Sequence, residues 1–160
     1  MKELPIRKSI RLKEYDYSCA GAYFVTICIK DGHEMLGEVA VGDAVRGGSH
    51  VQLSEIGRVL DSAIVYYHKN SNIQIPNYVI MPNHVHMIVM LLAEAGDRGR
   101  SPLQHIVRNL KSYITKQIGD SIWQKSFHDR IIRDEEEYQR IAQYIDENPA
   151  RWAEDEYYEK

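Results

Sequence analysis

Two histidines separated by one residue, His84 and His86, are the most chemically suggestive pair in this chain. Side chains two positions apart on a β-strand leave the same face. His84-Val85-His86 on a strand therefore presents two imidazoles side by side and turns Val85 toward a core. Such a pair is half of a metal site, although two neutral, hydrogen-bonded imidazoles on a half-buried strand satisfy the same spacing. Further along, Tyr144 and Asn148 lie four residues apart, so on a helix they share a face, with Glu147 within reach. Taken alone, a helical tyrosine packs or lies at the surface, and Asn148 before Pro149 reads as a helix end.

The elements that must position these residues are legible from periodicity. Val85 to Leu91 is an apolar, β-rich run without glycine or proline, and Pro82-Asn83 marks the turn where that strand starts. Ala22 to Ile29 is an earlier strand of aromatic and β-branched residues, stopped by Asp31-Gly32. Positions 38–41 and 50–53 form a small hairpin, an insertion spanning about residues 37–53. Ser54 caps a helix in which Ile56, Val59, Leu60, Ala63, Ile64 and Tyr67 recur at helical spacing to about His68. Ile73 to Ile80 is a strand that pairs antiparallel with the histidine strand. After a glycine-containing loop, Pro102 opens a second helix, with Leu103, Ile106, Val107, Leu110, Tyr113, Ile114 and Ile118 on one face and Gly119 as its stop. Ser126 to Arg133 is a last strand; Asp134 caps a third helix running from Glu135 to about Glu147, which Pro149 closes. Without the hairpin, this order is the split βαβ of an α+β, ferredoxin-like (RRM-like) fold. Its antiparallel sheet carries helices on one face, and a C-terminal helix bearing Tyr144 is appended.

The 160 residues, 44% hydrophobic, are read as one domain spanning 1–160. No apolar stretch approaches the ~20 residues of a membrane span, and no signal-peptide pattern opens the chain, so a cytoplasmic location without membrane contact is expected. Cys19 and Cys28 have neither metal-ligand nor disulfide spacing and are assigned no chemistry. The net charge of −3 hides an uneven distribution. Residues 134–160 hold ten acids against three bases, leaving an acidic tail at about 150–160 behind a mildly basic body. Cations gather at Lys2, Arg7, Lys8, Arg11 and Lys13, and again from Arg98 through Arg108, Lys111 and Lys116 to Arg133. A nucleic-acid contact or a plain solvated surface fits such clusters.

Several spaced motifs together resemble the REP-associated tyrosine transposases, single-tyrosine HUH transposases related to the insertion-sequence-200 family. They are Val79-Ile-Met-Pro-Asn-His-Val-His86, Leu110-Lys-Ser-Tyr113, Ile122-Trp-Gln-Lys-Ser-Phe127 with His128-Asp129, Ile132-Arg-Asp-Glu-Glu136, and Tyr144-Ile-Asp-Glu-Asn-Pro149. The likeness runs from the first strand to Trp152. It implies a metal-dependent endonuclease and strand transferase acting on single-stranded DNA folded as the hairpin of a repetitive extragenic palindrome. Tyr144 is then the nucleophile of a covalent 5′-phosphotyrosine intermediate. His84, His86 and Asn148 are the ligands of Mg²⁺ or Mn²⁺, with Glu147 as the substitute for Asn148 and Tyr113 as the competing nucleophile. Tyr113 sits among Leu110, Ile114 and Ile118, a place that argues for packing.

Because free tyrosine has a pKa of about 10, such a nucleophile needs activation. Candidate phosphate contacts are Arg7, Lys8, Arg11, Arg108 and Lys111. No protein partner is required, and a monomer or a helix-exchanging homodimer fits the family. Two rival readings share the pattern: an RRM-like nucleic-acid-binding module without catalysis, and a metal-dependent hydrolase without a covalent step.

Overall fold

A computed structural model of the chain describes residues 21–42, 48–69, 73–92 and 102–158. The expected phosphate contacts Arg7, Lys8 and Arg11 lie outside these residues.

The alternation of Ala22 to Ile29 and of Val85 to Leu91 dictates two strands that each bury one row of side chains on either face. They form β1 (Gly21–Cys28) and β5 (His84–Leu91), paired antiparallel at the centre of a four-stranded sheet. β4 (Ile73–Ile80) flanks β5 and β6 (His128–Ile132) flanks β1, giving the order β4-β5-β1-β6 with every pair antiparallel. That is the strand order of a ferredoxin-like sheet. The hairpin of β2 (Gly37–Val41) and β3 (Ser49–Leu53) forms a separate two-stranded sheet.

The odd-numbered residues Tyr23, Val25 and Ile27 of β1 and Val85, Met87 and Val89 of β5 all lie in the main core. Against them pack Leu60 and Ile64 of α1 (Glu55–His68) and Leu103, Val107, Leu110 and Ile114 of α2 (Pro102–Ile118). Their spacing of three and four puts each set on one helical stripe. The even-numbered residues face the other way. Ile88 and Ile132 meet Ala142 and Ile145 of α3 (Glu135–Glu147), with Phe24 packed alongside. The sheet therefore has two helices on one face and the tyrosine-bearing helix on the other.

Gly57 allows α1 to sit close to the turn before β2. An added Cβ there would lie 2.0 Å from the Leu36 carbonyl oxygen, which already accepts the Ser54 N–H at 2.9 Å. Gly57→Ala should lower stability by about 1–3 kcal/mol, read as a lower urea midpoint. An unchanged midpoint would mean that the backbone yields freely.

At the start of α3, Asp134 accepts the Glu137 N–H at 2.8 Å. The Glu137 carboxylate in turn accepts the Arg133 N–H at 2.9 Å and pairs with Arg130. These donors hold the Glu137 carboxyl below the usual glutamate range. Its contribution to stability is therefore present above that range and lost as pH falls through the lowered value. Glu137→Gln should lower the thermal midpoint at about pH 6, and the difference from wild type should shrink as pH falls through the lowered Glu137 value.

Two boundaries differ from the sequence expectation. β6 begins at His128 rather than Ser126; the segment before it is held from the side, the Lys111 ammonium donating to the carbonyls of Gln124 (2.8 Å) and Ser126 (3.0 Å). At the other boundary, Pro149 does not end the helical path. Asn148 keeps helical angles (φ −57°, ψ −43°) and the chain continues as a 3-10 helix, Asn148–Glu154. A proline in the first turn of a new helix gives up an N–H that had no partner to lose, so Pro149 is tolerated there. This continuation returns the following residues to the histidine strand.

Candidate metal and tyrosine site

His84 and His86 are both buried at the start of β5, with ring centroids 4.4 Å apart. The turn Met81-Pro82-Asn83 fixes the first of them. The Asn83 amide nitrogen donates to the carbonyls of Gly32 (3.2 Å) and Tyr157 (2.7 Å), so its oxygen is the atom that faces His84 Nδ1 at 2.8 Å. An amide oxygen only accepts. The proton of His84 therefore sits on Nδ1, leaving a lone pair on Nε2. His86 is fixed from the neighbouring strand, where Thr26, its cross-strand partner, lies 2.7 Å from Nδ1 through Oγ1.

Burial pushes His84 down to about 3, and burial together with the neighbouring His84 pushes His86 well below the ordinary imidazole value. Both rings are neutral, the form in which imidazole binds a cation.

Two further acceptors belong to this site. The Asp155 carboxylate, its side chain 1% exposed, lies 4.0 Å from His84 Nε2. The ligand atoms of His84, His86 and Asp155 all fall within 4.8 Å of one another. Asn148 is buried and its Oδ1 has no hydrogen-bond partner, as is true of His84 Nε2. A buried imidazole lone pair and a buried amide oxygen, both without a donor, are costly unless a cation satisfies them; the Asp155 carboxylate beside them accepts the Tyr157 N–H at 2.8 Å. Nitrogen and oxygen donors of this kind fit Mn²⁺, and fit Mg²⁺ when water or phosphate completes the shell.

Tyr144 projects from α3 onto the same place. Its hydroxyl is 3.4 Å from His86 Nε2, and its ring packs edge-on against Phe24 with centroids 6.1 Å apart. Burial and the Asp155 charge raise its pKa, while a hydrogen bond with Asn148 lowers it; the net direction is upward. The phenol is therefore protonated at rest. An open pocket of about 420 Å³ is lined by His86 and Tyr144 together with Phe24, Arg130 and Tyr157. The Tyr157 ring covers His84 at a centroid distance of 4.5 Å. Cys28, opposite His84 in the strand register, is a buried thiol that burial pushes up to about 11.

The remaining sequence candidates lie elsewhere. The Glu147 carboxylate accepts from the Gln143 amide at 2.6 Å and lies 3.8 Å from Arg151. Tyr113 belongs to α2, on the opposite side of the sheet from the histidines. It is 46% exposed beside Tyr66 and Tyr67, whereas its neighbours Leu110 and Ile114 are buried. Arg108 is exposed and Lys111 is tied to the 124–126 backbone, both lining a separate groove.

Sequence reading missed Thr26, Asn83, Asp155 and Tyr157 as parts of this site. Asp155 is one acid among many in an acidic tail to which the sequence assigns no role. The available signal was aromatic: Trp152, Tyr157 and Tyr158 are too apolar for a purely acidic tail, and Trp152 is buried beside His84 at a centroid distance of 5.9 Å.

The fold is a ferredoxin-like sheet in which paired buried histidines face a helix-borne tyrosine. In three dimensions the chain matches the structure of a REP-associated tyrosine transposase bound to a REP hairpin, with TM-score 0.62 and 21% identity over 89% of this chain and 74% of that one. The motif resemblance and the fold thus agree. No family profile matches the sequence. The chain is 30% identical to an uncharacterized protein of Haemophilus influenzae, over 95% of this chain and 93% of that protein, and it belongs to that protein's family. Among the described residues, no helix is long and apolar enough to cross a membrane.

Proposed function

We propose that this protein is a metal-dependent single-stranded DNA endonuclease and strand transferase that cleaves next to hairpins of the repetitive extragenic palindrome type through Tyr144. The observation that carries this reading is the 3.4 Å approach of the Tyr144 hydroxyl to His86 Nε2, in a site where His84 Nε2 and Asn148 Oδ1 are buried acceptors without donors. His84, His86 and Asn148 would hold the cation, with the Asp155 carboxylate as a further oxygen. When bound, Mn²⁺ or Mg²⁺ would supply Lewis-acid polarisation of the scissile phosphate.

The chain's own residues do the rest. Phe24 orients the phenol ring, and Asn148 stabilises the phenolate by its hydrogen bond. The Tyr144 hydroxyl gives its proton to solvent, its oxygen attacks phosphorus in line, the P–O3′ bond breaks, and the leaving oxygen takes a proton from solvent to become a 3′-OH, so no net proton is gained or lost. The 5′-phosphotyrosine keeps the phosphoester energy, so a second 3′-OH can reverse the step without a nucleotide cofactor. The neighbour bound to a REP hairpin supports hairpin DNA as the ligand. An RRM-like binding module fits less well. In such modules the sheet face stacks bases, whereas here the equivalent face is covered by α3 and the histidines are buried.

Incubation of the protein with a labelled hairpin oligonucleotide and Mn²⁺ should give a DNA-linked band on a denaturing gel. Cleavage without that band would favour a hydrolase with no covalent step. Asn83→Ala, which frees the His84 ring, should weaken Mn²⁺ affinity ~10–100-fold by calorimetry, as loss of a ligand-orienting hydrogen bond does; an unchanged affinity would remove His84 from the ligand set.

A further inference from the structure

The pocket that holds Tyr144 has a second wall, formed by the edge strand β6. Arg130 of that strand pairs with Phe24 in the β1–β6 register, and paired residues on neighbouring strands send their side chains to the same face of a sheet. The Phe24 ring lies 5.2 Å from His86 and 6.1 Å from Tyr144 between centroids. Arg130 thus rises from the face that carries the histidines, one strand beyond Phe24, and lines the same pocket as His86 and Tyr144. It is the only lysine or arginine among the described residues that line this pocket, where Asp129 and Glu156 bring acid side chains.

Arg130 is also held in place. Its guanidinium pairs with Glu137, whose side chain is 8% exposed, whereas that of Arg130 is 65% exposed. The Glu137 carboxylate accepts the Arg133 N–H at 2.9 Å, and its backbone N–H donates to the Asp134 cap at 2.8 Å. A nearly buried carboxylate tied to the backbone clamps one edge of the guanidinium and leaves its other donors open to a second anion. Glu137 and Tyr144 are seven residues apart on α3, two turns along one face. Helical side chains tilt toward the N-terminus, so Tyr144 leans toward the end of the helix that holds Arg130. One helix therefore carries both the tyrosine and the anchor of the arginine.

We propose that Arg130 is a further catalytic residue of the cleavage reaction, its guanidinium holding a non-bridging oxygen of the scissile phosphate while Glu137 positions it. The proposal rests on the nuclease reading of Tyr144 and adds a group outside the metal site. Arg130 neither gives nor takes a proton. As the Tyr144 oxygen bonds to phosphorus and the P–O3′ bond breaks, the guanidinium stays charged and donates to the phosphoryl oxygens on which charge builds. A planar fork can keep Glu137 on one edge and the phosphate on another, which a lysine ammonium cannot do with the same geometry.

The test measures the rate of covalent adduct formation with a labelled hairpin oligonucleotide and saturating Mn²⁺, at a temperature below the melting point of every variant. Arg130→Gln should slow the rate at saturating hairpin about 100-fold or more, as loss of one donor to a developing oxyanion does, and move the half-saturating concentration less than about threefold. Arg130→Lys, which keeps the charge, should recover part of that rate. Glu137→Gln should slow it roughly 10- to 100-fold by misplacing the guanidinium. Arg130→Gln/Glu137→Gln should be no slower than Arg130→Gln alone, because Glu137 acts through Arg130. A purely structural pair would not give that split between rate and half-saturation, nor that lack of additivity. An unchanged saturated rate in Arg130→Gln overturns the proposal. So does a loss confined to half-saturation, which would make Arg130 a binding contact only, and so do single losses that multiply in the double variant. Wild-type adduct with an undiminished Arg130→Gln rate sinks only the Arg130 assignment, whereas absence of adduct with wild type sinks the nuclease reading itself.

Discussion

Replacing Tyr144 with phenylalanine should abolish the covalent protein–DNA band, a loss of at least ~10³-fold, while hairpin affinity changes by no more than a few-fold. The two halves of that result come from different atoms. The ring's contact with Phe24 and its place beside His86 are retained by phenylalanine, so the pocket wall that DNA meets keeps its shape. The hydroxyl, which lies 3.4 Å from His86 Nε2, is the only part removed. Its loss deletes the proposed nucleophile without deleting a core contact. A mutant that still forms the adduct would move the nucleophile elsewhere. Tyr157, which lines the same pocket, would then be the first to replace, and Tyr113 the second. Adduct formation and binding must be read on the same preparation, because only their divergence identifies a nucleophile; a fall in both would report damage to the site.

His86→Ala should be the second large effect, removing Mn²⁺-dependent cleavage altogether and lowering Mn²⁺ affinity at least ~100-fold by calorimetric titration. His86 contributes the Nε2 that faces Tyr144, and its Nδ1 lies 2.7 Å from the Thr26 hydroxyl in the buried sheet face. Alanine therefore also leaves Thr26 without that bond and opens a cavity beneath Phe24, with an expected destabilisation of about 1–3 kcal/mol. His86→Gln separates the two consequences. It keeps a polar group near Thr26 and most of the volume, so it should recover the melting temperature and still lose cleavage. Full Mn²⁺ affinity in either variant would rule the paired imidazoles out as ligands. Cleavage that persists in both without added metal would point to a site that works by acid–base chemistry alone.

Much of the frame was written locally. The alternation around His84-Val85-His86 determines that both imidazoles share a face and that Val85 enters the core, because the strand period is two and a one-residue slip would exchange the faces. The apolar stripes of α1 and α2, the Ser54 and Asp134 caps and the chain order of the elements were equally legible, since each depends on neighbours within a few residues. Proline chemistry gave a less secure signal. A proline that ends one helix is equally suited to begin another, and Pro149 does the second.

Long-range partners had no such signature. Thr26 reaches His86 only through the β1–β5 register, and Asn83 orients His84 while tying down the backbone of Tyr157, 74 residues away. Lys111, expected as a phosphate contact, donates to two carbonyls that only the folded loop brings near it.

The order of residues along the chain determined a ferredoxin-like α+β fold, a strand carrying two imidazoles on one face and a helix carrying a tyrosine near its end, because backbone periodicity and capping act over a few residues. Only the tertiary structure decided that Asp155 and Asn148 bring buried oxygens to the imidazole pair, that Tyr144 rather than Tyr113 faces it, and that Arg130 lines the same pocket. Those outcomes depend on which sheet face each helix covers and on how the 3-10 segment folds back. Such choices are made by packing between residues distant in sequence, where no local pattern reaches.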